Sequence, residues 1–326
     1  MKIENVGAKE YFIPFFLSLA LMKNVSASPS HGSAFWHLLA IVTVAFWGTS
    51  FVSTKVLLNH DFSAVQIFTL RFVVTYFLLL AVSHKQLRCK NWKHELILLI
   101  CGLTGCTFYF WAENTALSIS PSSNVSLIVC TNPLLIMIFG GLIYKGERLC
   151  KRQILGCVIT FIGMVLVVLN GKFILKLSPV GDLLAFSSAC MWTVYSLILR
   201  ILNGKYSTLF MTRKMFFYGA LSSVIIMLAE SGKPIPWQNF AEPVVTFNFL
   251  CLTVFSSLFG YLVWNLVLEK IGTVLASNYI YAIPLVTIIT AVIALGETIT
   301  VVALAGAVAI VTGMVLAEWK SRKKHR

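Results

Sequence analysis

The chain has 326 residues, of which 58% are hydrophobic and only 12% are charged, with a formal net charge of +14. Soluble domains carry about 25% charged residues, so a water-soluble body is excluded. Lys and Arg gather between particular apolar runs, a pattern of membrane topology rather than of a nucleic-acid interface, and no nucleic-acid partner is expected.

Residues 1–34 form an extension that stands apart from the rest. Its apolar run YFIPFFLSLALM at 11–22 is shorter than the roughly 20 residues a spanning helix needs. It reads as an interfacial segment or a signal-like stretch and is left out of the fold. From there the chain is expected to cross the membrane as an all-α protein of ten transmembrane helices at 35–57, 63–82, 95–117, 121–144, 152–170, 181–200, 208–229, 247–268, 273–294 and 299–319. The basic segments 84–94 (HKQLRCKNWKH), 145–152 (KGERLCKR), 200–214 and the tail 320–326 then fall on one side, while Lys55, Lys172, Lys176 and Lys233 fall on the other. The positive-inside rule places both termini in the cytoplasm, and the chain is read as a multi-pass protein of the cytoplasmic (inner) membrane. The eight cysteines show no CxxC pair or Cys/His spacing and read as buried thiols, so no metal or cofactor is expected.

Self-comparison divides these spans into two sets. Leu38-Leu39-Ala40 followed by Trp47 recurs as Leu183-Leu184-Ala185 followed by Trp192, at one fixed offset that also pairs Lys55 with Arg200. At a second fixed offset, Gly146-Glu147 pairs with Gly296-Glu297, Gly156 with Gly306, and the GMVL starting at Gly163 with the GMVL starting at Gly313. Between these anchors, Pro133 and Pro284 fall mid-span, as do Trp111 and Trp264 in approximate register. Two repeats follow, 35–170 and 181–319. Five spans is an odd number, so the second repeat enters from the opposite face, and inverted repeats of this kind build transporters with a site near the midplane.

These features together resemble the EamA-type members of the drug/metabolite transporter superfamily. The paired Trp47 and Trp192, the paired Pro133 and Pro284 and the doubled Gly-Glu element carry the resemblance. It implies a helical bundle in which the first, third, fourth, sixth, eighth and ninth spans surround a cavity that opens alternately to each side. It also implies a secondary transporter of small organic metabolites, amino acids among them, commonly working outward.

The expected substrate-binding residues are Trp47, Ser50, Trp111, Glu113, Asn114, Asn132, Trp192, Tyr195, Trp264 and Tyr281. Aromatic walls suit flat or amphipathic solutes and cations. A carboxylate inside a span costs about 2.5–3.5 kcal/mol on insertion scales and marks a pathway, so Glu113 is a candidate for proton coupling, with a structural partner at the helix end as the other reading. Trp111, Asn114 and Thr115 share one helix face and Tyr109, Glu113 and Leu117 another. If Trp111 meets the cavity, Asn114 does too, and Glu113 turns toward a neighbouring helix.

Structural roles are expected for the other residues singled out. Arg71 would pair between helices, Pro133 and Pro284 would kink their spans and expose carbonyls, and Glu147 and Glu297 would cap the following helices. Gly140, Gly141, Gly156, Gly163, Gly306 and Gly313 read as points of close helix approach. The rival readings are an intramembrane enzyme and a non-transporting scaffold or channel. The enzyme lacks an HExxH, a GxSxG or a convergent histidine cluster, and His37 at the start of the first span is the one histidine away from loops, tails and span edges. Substrate identity and oligomeric state are left open, with a small-molecule substrate and membrane lipid as the partners.

Overall fold

The computed structural model describes residues 33–120, 125, 128–144, 150–169, 178–230, 233–286, 289 and 300–318. Among these residues the chain is built of helices and turns and forms no strand. A segment in hydrocarbon must satisfy each backbone N–H and C=O internally, which a helix does and an open strand does not. Helix α1 spans Ser33–Asn59, α2 Ala64–Val82, α3 Trp92–Ile119, α4 Asn132–Ile143 and α5 Lys151–Leu169. Helix α6 spans Pro179–Leu199, α7 Thr208–Ala229, α8 Pro243–Ile271, α9 Thr273–Val286 and α10 Val301–Glu318.

Six of these, α1, α2, α3, α6, α7 and α8, are long and apolar enough to cross a membrane. Their outward faces expose Leu38, Phe77, Leu183, Ile225 and Phe247, and α4 and α10 add Leu142 and Leu304. In water that much apolar surface would drive association. Here it is the lipid-facing surface of a multi-pass membrane protein.

Local sequence sets where helices begin. Ser63 accepts the Gln66 backbone N–H while Gln66 Oε1 accepts the Ser63 N–H, a capping box that opens α2. Asn91 opens α3 by accepting from the Lys93 N–H, and Ser207 opens α7 by accepting from that of Phe210. The prolines differ from the expected mid-span kinks. Pro133 stands in the first turn of α4, after a turn at Cys130 and Thr131, and Pro284 follows a 3₁₀ turn over Asn278–Ala282 inside α9. Proline lacks the N–H that a continuous helix would need but fits a first turn, so each one restarts a helix instead of bending it.

Packing follows the small residues. Helices α5 and α10 meet along four glycines: a Cβ at Gly156 would lie 2.6 Å from Gly313 O, and one at Gly163 would lie 2.7 Å from Gly306 O. Backbones that close leave room for hydrogen alone, the way helices associate where lipid removes the hydrophobic drive. Gly141 is different: nothing lies within 4 Å of its would-be Cβ, so its expected close contact is absent.

Both α3 and α8 contain a π-helical stretch, Leu103–Thr107 and Cys251–Phe259. Widening a turn this way leaves carbonyls without their usual i+4 donor, and another helix supplies one. Tyr261 of α8 donates its hydroxyl to Gly105 O of α3 at 2.6 Å, and Trp47 of α1 donates its indole N–H to Ser256 O of α8 at 3.1 Å.

None of the eight cysteines forms a disulfide among the described residues; four are buried and four, Cys89, Cys150, Cys190 and Cys251, are half-buried rather than fully inside. Cys89 lies in the α2–α3 loop, where burial first and the neighbouring Glu95 second push its thiol up to about 12, so it stays neutral and inert. The expected caps Glu147 and Glu297 lie outside the described residues, as do the tail 320–326 and all but the last two positions of the 1–34 extension.

Candidate functional site

Seven helices converge on an internal cavity of about 60 Å³. Helix α1 brings Trp47, Ser50 and Thr54, α2 brings Arg71, and α3 brings Tyr109, Phe110, Glu113, Asn114 and Leu117. Asn132 at the head of α4, Trp192 of α6, Tyr261 of α8 and Ile283 of α9 complete the ring. The α3 contribution is one helical face, recurring at i, i+1, i+4, i+5 and i+8.

The wall is aromatic. The Trp47 and Trp192 rings meet edge to face at 5.3 Å, and Tyr109 leans on Trp192 at 5.1 Å. Tyr261 closes the group 5.8 Å from Trp192. Gly260 makes this possible, since a Cβ there would lie 2.7 Å from the Trp47 indole nitrogen. Two of these rings, Trp47 and Tyr261, are oriented by the hydrogen bonds they donate to π-helical carbonyls.

Polar groups are set into that wall. Glu113 is buried and accepts the Tyr109 hydroxyl on Oε1 at 2.9 Å. Arg71 is 3% exposed, and its guanidinium lies 4.4 Å from the centre of the Phe110 ring and 5.4 Å from that of Phe72. Three buried atoms on the cavity residues have no hydrogen-bond partner among the described residues: Arg71 Nε, Trp192 Nε1 and Asn132 Oδ1. Unpaired polar groups at this depth are rare in native proteins and ask for an explanation.

Of the residues expected to bind substrate, Trp47, Ser50, Glu113, Asn114, Asn132 and Trp192 line this cavity. Trp111, Tyr195, Trp264 and Tyr281 do not. Trp111 turns outward and donates to Glu230 Oε1 at the end of α7, 3.1 Å away, so it does not share the cavity with Asn114. Glu113 and Asn114 face inward together because the cavity face of α3 is centred between them. Tyr195 hydrogen-bonds Asn265, whose Nδ2 donates to Thr212 Oγ1 at 2.9 Å, a buried network behind the cavity. Trp264 is fully buried against Trp47 at 5.0 Å, and Tyr281 packs near Phe161 at 6.2 Å.

Arg71 corrects the opposite way. Expected to pair between helices, it opens onto the cavity, and among the described residues it forms no ion pair, although the charge of Glu113 on the same wall acts on it. Tyr109, Phe110 and Tyr261 were not among the expected site residues. The first of these carried a usable signal, since Tyr109 stands one helical turn before Glu113 and can reach only that side of the helix.

A bundle of apolar helices around a small cavity with aromatic walls and unpaired polar groups is the build of a carrier for a small solute. Comparison with known proteins makes this definite: the model of the "EamA-like transporter family" matches residues 34–169 and again 179–319, and the chain belongs to that family. It is similar to the uncharacterized transporter YyaM of Bacillus subtilis (strain 168), 31% identical over 72% of this chain and 76% of the relative. A protein of Salmonella typhimurium named "Probable amino-acid metabolite efflux pump" is 25% identical over 85% of this chain and 92% of its own length. One of Streptantibioticus cattleyicolor, "Probable terminal-alkyne amino-acid exporter", is 21% identical over 90% and 96%. A solved crystal structure, 19% identical, superposes with a TM-score of 0.71 over 90% of this chain and 100% of that one, which shows the shared fold. The protein is thus a membrane transporter of a small molecule and not an enzyme.

Proposed function

We propose that this chain is a secondary carrier that exports a small organic solute of amino-acid type by alternating access. Its ten spans would form two inverted halves, 35–170 and 181–319, rocking about the cavity between them. The observation that carries this reading is the composition of the ring: α1 to α4 come from the first family-matched stretch and α6, α8 and α9 from the second, so relative motion of the two would open the cavity to one side or the other. At about 60 Å³ the cavity holds a few waters in the described conformation, at about 10–15 Å³ of such space each. Probable efflux of amino-acid metabolites and probable export of a terminal-alkyne amino acid are the roles named for two of the relatives, and solutes of that type suit a cavity that carries both a cation and a carboxylate.

Within this reading the chain sits in the cytoplasmic membrane with both termini inside, as the distribution of Lys and Arg favours. Acyl chains would cover the outer faces of the helices. Glu113, the only carboxylate among the residues that line the cavity, would couple flux to protons. Protein reconstituted in liposomes is expected to give saturable flux of amino acids, with mutual competition between substrates. Flux that rises linearly with concentration would identify a pore, and no flux for any amino acid would remove the carrier reading.

A further inference from the structure

Among the described residues two arginines are buried, and their surroundings differ. Arg213 of α7 is 1% exposed, and its two terminal nitrogens donate to Ser83 O and Gln86 O, carbonyls just past the end of α2. That is how a structural arginine is accommodated at a helix end: carbonyls with no donor of their own take its N–H groups. Arg71 is buried almost as deeply, within the span of α2, yet among the described residues its Nε has no acceptor and its guanidinium lies against the faces of Phe110 and Phe72. Ring faces recover part of the solvation that an arginine loses, but they leave the planar fork of N–H donors unused.

A buried charge of this kind is unfavourable unless something supplies the opposite charge. The described ion pairs supply none: they join Lys214 to Glu95, Lys270 to Glu269 and His60 to Glu242. Glu113 shares the cavity and its charge acts on Arg71, but it makes no ion pair with it, and its Oε1 accepts from Tyr109. Arg71 opens onto the cavity, where an entering anion would supply the direct partner that Glu113, acting without an ion pair, does not.

We propose that Arg71 is the anion receptor of the cavity and binds the carboxylate of the transported solute. This rests on the carrier reading above and sharpens it by requiring a carboxylate on the substrate. A carboxylate presents two coplanar oxygens that match the guanidinium fork, and the unpaired Trp192 indole N–H on the same wall is a further donor suited to an anion. The unpaired acceptor Asn132 Oδ1 and the Glu113 carboxylate supply the opposite chemistry, suited to an ammonium group. Donors and acceptors together fit a small zwitterion better than an amine or a neutral drug. Selectivity is expected to be steep, because an analogue lacking the carboxylate would leave the Arg71 charge buried and unpaired.

The test uses the full chain in liposomes with L-alanine, L-leucine and L-phenylalanine, each set against its carboxamide. Wild type is expected to move the acids at least tenfold better than the amides. Arg71→Gln should abolish that preference, chiefly by loss of transport of the acids, and Arg71→Lys should retain part of it. A second readout separates binding from structure: with no substrate present, Arg71→Gln should melt at the same temperature as wild type or higher, since it removes an uncompensated charge. Equal transport of acids and amides by wild type would overturn the assignment while leaving the carrier intact. So would a folded Arg71→Gln that keeps the preference, or one that melts far lower with its ranking unchanged. No transport of any of the six probes would overturn the assignment together with the carrier reading.

Discussion

Helices α3 and α8 have the same construction and opposite uses. Each contains a π-helical stretch, each has a glycine at or next to it against which an aromatic ring packs, and each offers a carbonyl to a cavity aromatic from another helix. Past that point they diverge. Helix α3 turns Glu113 and Asn114 into the cavity, whereas Asn265 of α8 is fully engaged with Tyr195 and Thr212. The shared part holds the wall and the divergent part decides what the wall meets. A duplicated frame can keep its stability in one copy and change its chemistry in the other.

The largest effects are expected where the two helices are alike. A Cβ at Gly105 would lie 2.6 Å from the Tyr195 ring, and one at Gly260 would lie 2.7 Å from Trp47 Nε1. Gly105→Ala and Gly260→Ala should each lose about 1–3 kcal/mol of stability by overpacking, and Gly105→Leu should fail to fold. Thermal unfolding in detergent checks this. If one helix tolerates alanine and the other does not, their equivalence as supports is lost.

Next comes the point of divergence. Asn265→Ala removes the acceptor of the Tyr195 hydroxyl and the donor to Thr212 at once, leaving buried polar groups unpaired, and should cost about 1–3 kcal/mol. Transport by the folded fraction should keep its substrate ranking. Glu113→Gln should behave the other way. Its stability should stay within about 1 kcal/mol of wild type, because Gln still accepts from Tyr109, while accumulation driven by a proton gradient should fall at least tenfold, which is about 1.4 kcal/mol. Solute exchange without a gradient should persist at reduced affinity, since Gln still accepts a hydrogen bond but loses the charge that faces the ammonium group. The wild-type dependence of uptake on pH should flatten in this variant, and an unchanged pH profile would remove Glu113 from coupling.

How much of this could be read from sequence depended on the signal each feature leaves. The apolar runs locate the helices because crossing lipid requires length and apolarity together. Trp47 and Trp192 were legible as a pair because the repeat marks them, and they meet at the cavity. Arg71 was expected to pair between helices, and a family pattern that makes the second span peripheral could not show that its side chain lines the cavity. Neither π-helical stretch has a compositional signature, so the carbonyls that orient Tyr261 and Trp47 became visible only with coordinates. Pro133 and Pro284 were placed correctly along the chain but given the wrong local geometry, since proline restarts a helix as readily as it kinks one.

The smallest expected effect tests the orientation of α3. The sequence alone links Trp111 with Asn114 on one face, and a Trp beside a carboxylate invites a binding role. In the structure the indole of Trp111 points away to Glu230, an exposed pair of the kind worth less than about 1 kcal/mol. Trp111→Phe should therefore shift stability by no more than about 0.5 kcal/mol and leave transport and substrate ranking unchanged. The neighbouring Asn114→Ala should weaken transport severalfold, because it strips a polar group from the cavity wall. A strong transport defect in Trp111→Phe with a silent Asn114→Ala would mean that α3 is turned by about 100°, one residue of a helix with 3.6 per turn. Glu113 would then leave the cavity, and the contrast between α3 and α8 would have to be drawn on other residues.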